Sequence, residues 1–245
     1  MTRNDLKRKF SLGLMLASRS MYKYSLAIQS KLDRYANPSI ALSYRGDVKD
    51  SVQGSAAFVK AELIEKNLPR DVITISDIGG NNGFFSSYFA RKNKVIYCFE
   101  PDVGHLQRAF FEAVDIPRGN GFMSVSPMGI DENTVKNLPQ VDATLLLSVL
   151  HYWVEAVGWE GAELLLREIW SKTNKVLFFE LPNPVSNSKL KFILSAMGGT
   201  EKECELYLVN LLSRLPGATV EVLGYLSTDF RPNEKRHIFA VRRSG

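Results

Sequence analysis

The 245-residue sequence predicts an α/β fold, a mostly parallel sheet with helices on both faces. Three observations predict it. Residues 72–76 (Val-Ile-Thr-Ile-Ser) form a β-branched run that leads directly into a glycine-rich turn, Asp77-Ile-Gly-Gly-Asn-Asn-Gly83. A helix-compatible segment at 84–92 and a second strand-like run at 94–99 follow. That run closes on an acid, Glu100. Strand, glycine-rich turn, helix, strand and acid make the opening βαβ unit of a doubly wound nucleotide-binding sheet.

The alternation continues to the end of the chain. Residues 106–114 suit a helix and 121–125 a third strand. Residues 143–149 form a fourth strand, strongly apolar as buried parallel strands are. Residues 160–171 carry helical apolar spacing, 175–180 read as a fifth strand and 201–214 as a helix. Two last strand-like runs cover 219–226 and 237–241. Before the sheet, 51–67 reads as a helix ended by Pro69. Loosely helical apolar residues from Leu6 to Ile28 predict one or two further helices before Asn37-Pro38. The expected organisation is one globular domain over 51–245 behind a basic helical extension over 1–50.

Charge is unevenly placed. The net charge is +5, yet residues 1–45 hold nine Lys/Arg against Asp5 and Asp33, so the rest of the chain is slightly acidic. Such an arm suits a phosphate-rich partner, whether polysaccharide, RNA or a membrane surface; a solvated face that keeps the protein soluble is the other reading. The aromatics of the arm, Tyr22, Tyr24 and Tyr35, are expected to pack and not to stack on bases. Cys98 and Cys204 stand far apart without a Cys-x-x-Cys pair or a neighbouring histidine, so neither a disulfide framework nor a metal site is expected. No apolar run approaches the roughly 20 residues that span a bilayer. A cytoplasmic location, with the arm able to hold the protein peripherally at a membrane, is the expectation.

The segments Asp77-Ile-Gly-Gly-Asn-Asn-Gly-Phe-Phe-Ser86 and Asp142-Ala-Thr-Leu-Leu-Leu-Ser-Val-Leu-His-Tyr-Trp153 resemble the first and fourth motifs of class I S-adenosylmethionine-dependent methyltransferases. The resemblance spans residues 72–242. Within that class, Gly83-Phe-Phe-Ser86, Leu146-Leu-Ser-Val-Leu-His151, the helix at 162–170 and Lys175-Val-Leu-Phe-Phe-Glu180 are similar to bacterial enzymes that cap O-antigen polysaccharides by methylating a terminal phosphate. RNA 5′-phosphate methyltransferases share the Gly-x-Asn-x-Gly form of the loop. The resemblance implies a Rossmann-like, seven-stranded sheet whose last strand runs antiparallel. It also implies S-adenosylmethionine as cofactor and methyl transfer to a phosphate or hydroxyl of a saccharide, nucleic acid or small metabolite.

The expected cofactor site takes Gly79, Gly80, Asn81, Gly83 and Phe84 from the loop, where small side chains allow close backbone approach. Asn81 stands where the family usually has glycine, and asparagine is the next most tolerant residue for a left-handed turn. Asp77 is expected at the amino-acid end of the cofactor. Glu100, followed by Pro101, is placed to accept the ribose hydroxyls. Met128 and Gly129 are assigned to the adenine edge, and Ser148 and Val149 to the same pocket from the fourth strand. A nicotinamide enzyme would share the acid but not the glycine spacing, and a SAM-binding scaffold without turnover would share both.

Methyl transfer from a sulfonium needs alignment, plus a base when the acceptor is poorly acidic. His151, just past the fourth strand at the ligand-bearing edge, is the first catalytic candidate; a packed lip residue is its other reading. Glu180, ending the fifth strand, is the second, its alternative being a structural hydrogen-bond acceptor. Tyr152, and Tyr44 with Arg45 in the Ser-Tyr-Arg-Gly stretch, are the candidate acceptor contacts. The planar fork of Arg45 suits phosphate; an ordinary loop is the other reading of 43–46.

Overall fold

The computed structural model describes residues 55–185, 187, 190–228 and 231–244, so the expected basic extension, with Tyr44 and Arg45, lies outside the described residues. The chain runs α1 (Ala56–Asn67), β1 (Thr74–Ile78), α2 (Phe84–Ala90), β2 (Val95–Phe99), α3 (Val103–Val114), β3 (Phe122–Ser126), a 3-10 turn (Val135–Asn137) and β4 (Val141–Leu147). It continues through α4 (Leu150–Ser171), β5 (Thr173–Leu181), α5 (Lys191–Met197), α6 (Glu201–Ser213), β6 (Ala218–Thr228) and β7 (Arg231–Arg243).

One seven-stranded sheet has the order β3-β2-β1-β4-β5-β7-β6. Strands β1 to β5 pair in parallel, and β7 lies antiparallel between β5 and β6. This is the expected Rossmann-like sheet. Parallel strands need crossover helices, which cover both faces. On β5, Val176 and Phe178 join a core with Ala57, Ala61 and Ile64 of α1 and with α2, while Leu177, Phe179 and Leu181 join the opposite core with α4, α5 and α6. Two-residue alternation along the apolar run 176–179 of this strand thus feeds two cores, and each fully buried phenylalanine contributes roughly 1.5–3 kcal/mol.

Several boundaries differ from the sequence reading. β1 and β4 each sit two residues from their expected positions, so Asp77 lies within a strand where a turn was expected, and Ser148 and Val149 follow β4 where strand was expected. Short apolar runs carry no mark of which residue pairs first; that is set by register, here Ile78 opposite Phe99 and Leu146. Helix α3 begins three residues earlier than expected because Asp102 caps it, accepting from the His105 N–H at 2.9 Å. Two helical pieces escaped the periodicity: α5, and the first part of α4, which Gly158 (φ 71°) separates from the expected helix at 160–171. Among the described residues no helix is long and apolar enough to cross a membrane.

Candidate functional site

Strands β1, β2, β4 and β5 all end at one edge of the sheet. There a cleft of about 680 Å³ opens, bordered also by α1 and by Arg236 of the antiparallel β7. This is the edge at which open α/β sheets bind ligands.

One side of the cleft is the glycine-rich loop. The N–H groups of Gly79 and Gly80 both donate to the Phe99 carbonyl, at 2.9 and 3.1 Å, which fastens the loop to the end of β2. Gly79 (φ 70°) admits no side chain, since a Cβ there would stand 2.7 Å from Val149 Cγ2. Gly83 (φ 80°) starts α2, and a Cβ would stand 2.8 Å from the Ala109 backbone, so the glycine lets α2 and α3 close together. Asn81 adopts the left-handed conformation (φ 51°) that its residue type tolerates, and its side chain accepts from the Asn82 N–H at 2.8 Å.

Facing the loop, the buried Glu100 carboxylate is held by backbone on both sides. Oε2 accepts from the Asn81 N–H at 2.7 Å and Oε1 from the Asp102 N–H at 2.8 Å. A carboxylate has about four acceptor positions, so each oxygen keeps capacity for a ligand hydroxyl. Asp77 lies deeper, fully buried, accepting from Ser86 Oγ at 2.6 Å. Burial pushes its carboxyl up to about 6, the Ser86 bond opposes this, and the nearby Glu100 charge adds to it. Pro101, Met128, Gly129 and Phe84 complete this end of the lining.

The other side of the cleft is a buried charge network. Glu180, 0% exposed at the end of β5, pairs with Lys60 of α1 through Oε2. Its Oε1 accepts from Ser148 Oγ at 2.5 Å and from Arg236 Nη1 at 3.1 Å, and the same guanidinium nitrogen donates to Ser148 Oγ at 2.9 Å. Burial alone would raise the Glu180 carboxyl, but the Lys60 and Arg236 charges outweigh it and hold the group below the usual carboxylate range. Ser148 has φ 63°, a strained value for serine that places its hydroxyl between Glu180 and Arg236.

His151 lies in the first turn of α4 and is 8% exposed; Tyr152 borders the cleft, whereas His151 is not among the lining residues. Their rings pack with centroids 4.1 Å apart. Burial lowers the His151 imidazole to about 4, helped by the Arg236 charge and opposed by Glu180, so the ring is neutral at pH 7. Its Nδ1 has no hydrogen-bond partner among the described residues.

Every described residue assigned to the cofactor, apart from Gly83 behind the loop, lines this one cleft, together with Glu180 and Tyr152. Sequence reasoning missed Lys60, Arg236 and His105. Lys60 carried one legible signal: it stands on the same helical face as Ala57, Ala61 and Ile64, a lysine among core positions. His105, with Nδ1 3.3 Å from Asn81 Nδ2, follows the acid at the start of α3. Nothing in the local sequence marks Arg236.

No protein-family model and no curated protein sequence matches the chain. Solved structures do match in fold. Magnesium protoporphyrin IX methyltransferase ChlM from Synechocystis PCC 6803, crystallised with SAM, superposes with a TM-score of 0.54 at 15% identity over 77% of this chain and 78% of that one. The bifunctional kinase-methyltransferase WbdD superposes with a TM-score of 0.58 at 18% identity over 79% of this chain. This chain spans only 40% of that WbdD chain. The fold is therefore that of the Rossmann-like methyltransferases.

Proposed function

We propose that this chain is an S-adenosylmethionine-dependent methyltransferase acting on an oxygen, a phosphate or hydroxyl of a saccharide, nucleic acid or small metabolite. The observation that carries the reading is the pairing of the Gly79-to-Gly83 loop with Glu100, whose two oxygens are fixed by backbone N–H groups at the floor of a cleft in this fold. The residues fit the cofactor. Glu100 holds the ribose hydroxyls, the loop lets a ligand approach where a Cβ at Gly79 would block it, and Asp77 sets a negative charge near the methionine ammonium. Met128 and Gly129 flank the adenine, and Ser148 and Val149 close the side nearest β4.

When bound, the cofactor supplies a methyl group on a sulfonium, open to in-line attack. The chain aligns the acceptor and excludes water. A phosphate arrives ionised and needs no base. For a hydroxyl acceptor a base is needed, and His151 is the candidate; burial keeps its ring neutral but also makes it a weak base, and it stands outside the cleft lining, next to Tyr152. The basic segment over 1–45 serves a phosphate-rich partner in this reading, and Tyr44, Arg45 and Tyr152 belong to the acceptor side. Titration calorimetry tests the assignment: S-adenosylhomocysteine should bind and NADH should not. Binding of NADH alone would make the protein a nicotinamide enzyme.

A further inference from the structure

A ring of four polar links surrounds the Glu100 carboxylate. Glu100 Oε1 accepts from the Asp102 N–H, Asp102 Oδ1 accepts from the His105 N–H, and the Asn81 N–H returns to Glu100 Oε2, at 2.8, 2.9 and 2.7 Å. The fourth link is the contact of His105 Nδ1 with Asn81 Nδ2 at 3.3 Å. It is the link made by two side chains, and it ties the first turn of α3 to the glycine-rich loop.

The neighbours decide how that link is made. Asn81 Oδ1 already accepts from the Asn82 N–H at 2.8 Å, so the end of the amide that meets the imidazole is its NH2, a donor. Nδ1 must therefore accept, which leaves the ring neutral with its proton on Nε2. The helix itself has no call for a histidine here. His105 is the third residue of α3, where a glutamate or glutamine often reaches back to the N–H of the capping residue; that N–H, of Asp102, is already held by Glu100. Packing does not explain the residue either, since its side chain is 42% exposed and lines the cleft.

Protonation reverses the link. An imidazolium carries N–H at both nitrogens, so Nδ1 would meet the Asn81 NH2 donor to donor. Two carboxylates stand near enough to draw it away, Asp102 Oδ1 at 3.8 Å and Glu100 Oε1 at 3.9 Å. A turn toward Glu100 fills the acceptor position that a ribose hydroxyl needs. Of the other charged groups, Asp77 on β1 feels the Glu100 charge, Lys60, Glu180 and Arg236 line the far side of the cleft, and Arg108 follows on α3 itself.

We propose that His105 is a positioning residue of the cofactor site: its neutral ring, by accepting from Asn81, holds the loop against Glu100 in the arrangement that receives the ribose diol. Its protonated ring releases the loop and competes for Glu100. The proposal rests on the methyltransferase reading of the cleft. Histidine changes charge between about pH 5 and 8, so cofactor affinity falls as the ring takes up a proton. By linkage, cofactor binding expels that proton.

The test measures S-adenosylhomocysteine binding to the full chain by calorimetry at about pH 8 and about pH 5.5. Two buffers of different ionisation enthalpy are used at each pH, so that proton release is counted. Phenylalanine lacks the acceptor, and asparagine keeps one near the place of Nδ1 without titrating. At the higher pH, His105→Phe should bind about fivefold more weakly than wild type, about 1 kcal/mol, and His105→Asn should recover most of that loss. On going to the lower pH, wild type should lose about fivefold more affinity than His105→Asn and should release more protons on binding. Asp77, whose carboxyl burial pushes up to about 6, titrates over the same range, but all three proteins keep it, so the differences between them belong to His105. Parallel profiles in wild type and His105→Asn, or a His105→Phe variant that binds as tightly as wild type at the higher pH, overturn the positioning role and leave the methyltransferase reading standing. A wild type that binds no S-adenosylhomocysteine at either pH overturns that reading, and the role with it.

Discussion

Replacing Asp77 by asparagine is expected to stabilise the free protein while weakening its hold on the cofactor. The side chain is fully buried and its carboxyl is pushed from 3.8 up to about 6, chiefly by loss of water. Between those values the native chain keeps a proton that the unfolded chain has released, so native stability falls as pH rises through that window and levels off above it. At about 1.4 kcal/mol per pH unit, the ionised group destabilises the native state by about 3 kcal/mol at pH 8. Asparagine removes the charge and can still accept from Ser86 Oγ, the contact Asp77 makes at 2.6 Å. Urea unfolding at pH 4, 6 and 8 should show the variant close to wild type at pH 4 and about 1–3 kcal/mol more stable at pH 8. S-adenosylhomocysteine affinity should fall, because the charge that destabilises the empty site attracts the ligand's ammonium. A variant less stable than wild type at pH 8, or an advantage of the same size at pH 4, would refute the reasoning.

Three further outcomes are expected. Glu100→Ala should weaken S-adenosylhomocysteine binding at least tenfold, about 1.4 kcal/mol, because it removes the diol acceptor and releases the Asn81 and Asp102 N–H groups; calorimetry on the folded variant checks this. His151→Ala should leave cofactor affinity unchanged. In steady-state turnover it should cost roughly a hundredfold for a hydroxyl acceptor and far less for a phosphate, and wild-type turnover with a hydroxyl acceptor would remove His151 from the mechanism. Deleting residues 1–30 should reduce retention on a polyphosphate column, with the difference from wild type shrinking as salt rises, while S-adenosylhomocysteine affinity stays within about twofold; equal retention would show that the arm's charge meets no polyanion.

The half of the cleft around the glycine loop and Glu100 was legible because its parts are close in sequence. A glycine turn and the acid one strand later lie within 24 residues, and the βαβ unit that joins them has a fixed hand, so order along the chain already implies position in space. Even Asn81 in place of glycine could be read, since the required φ limits the residue types that fit. The half around Glu180 was not legible for the opposite reason. Lys60 precedes the sheet, Ser148 follows β4, Glu180 stands near the end of β5 and Arg236 comes from the reversed last strand, so only their convergence gives them a shared meaning.

Glu180 shows the difference most plainly. As a sequence position it is an acid at the end of an apolar strand, equally a base or a structural acceptor. In the fold, Lys60 and Arg236 hold it ionised and engaged. His151 was likewise expected at the ligand-bearing edge, and the fold buries it against the Tyr152 ring, outside the cleft lining, with its own ring neutral. Local sequence therefore determined the fold class, the loop conformation and the place of Glu100 beside the loop, because short-range sterics and strand-to-helix order decide them. Tertiary structure alone decided the ion pairing of Glu180 and which side chains reach the cleft, because burial and Coulomb interactions depend on neighbours far apart in the chain, as Lys60 and Glu180 are.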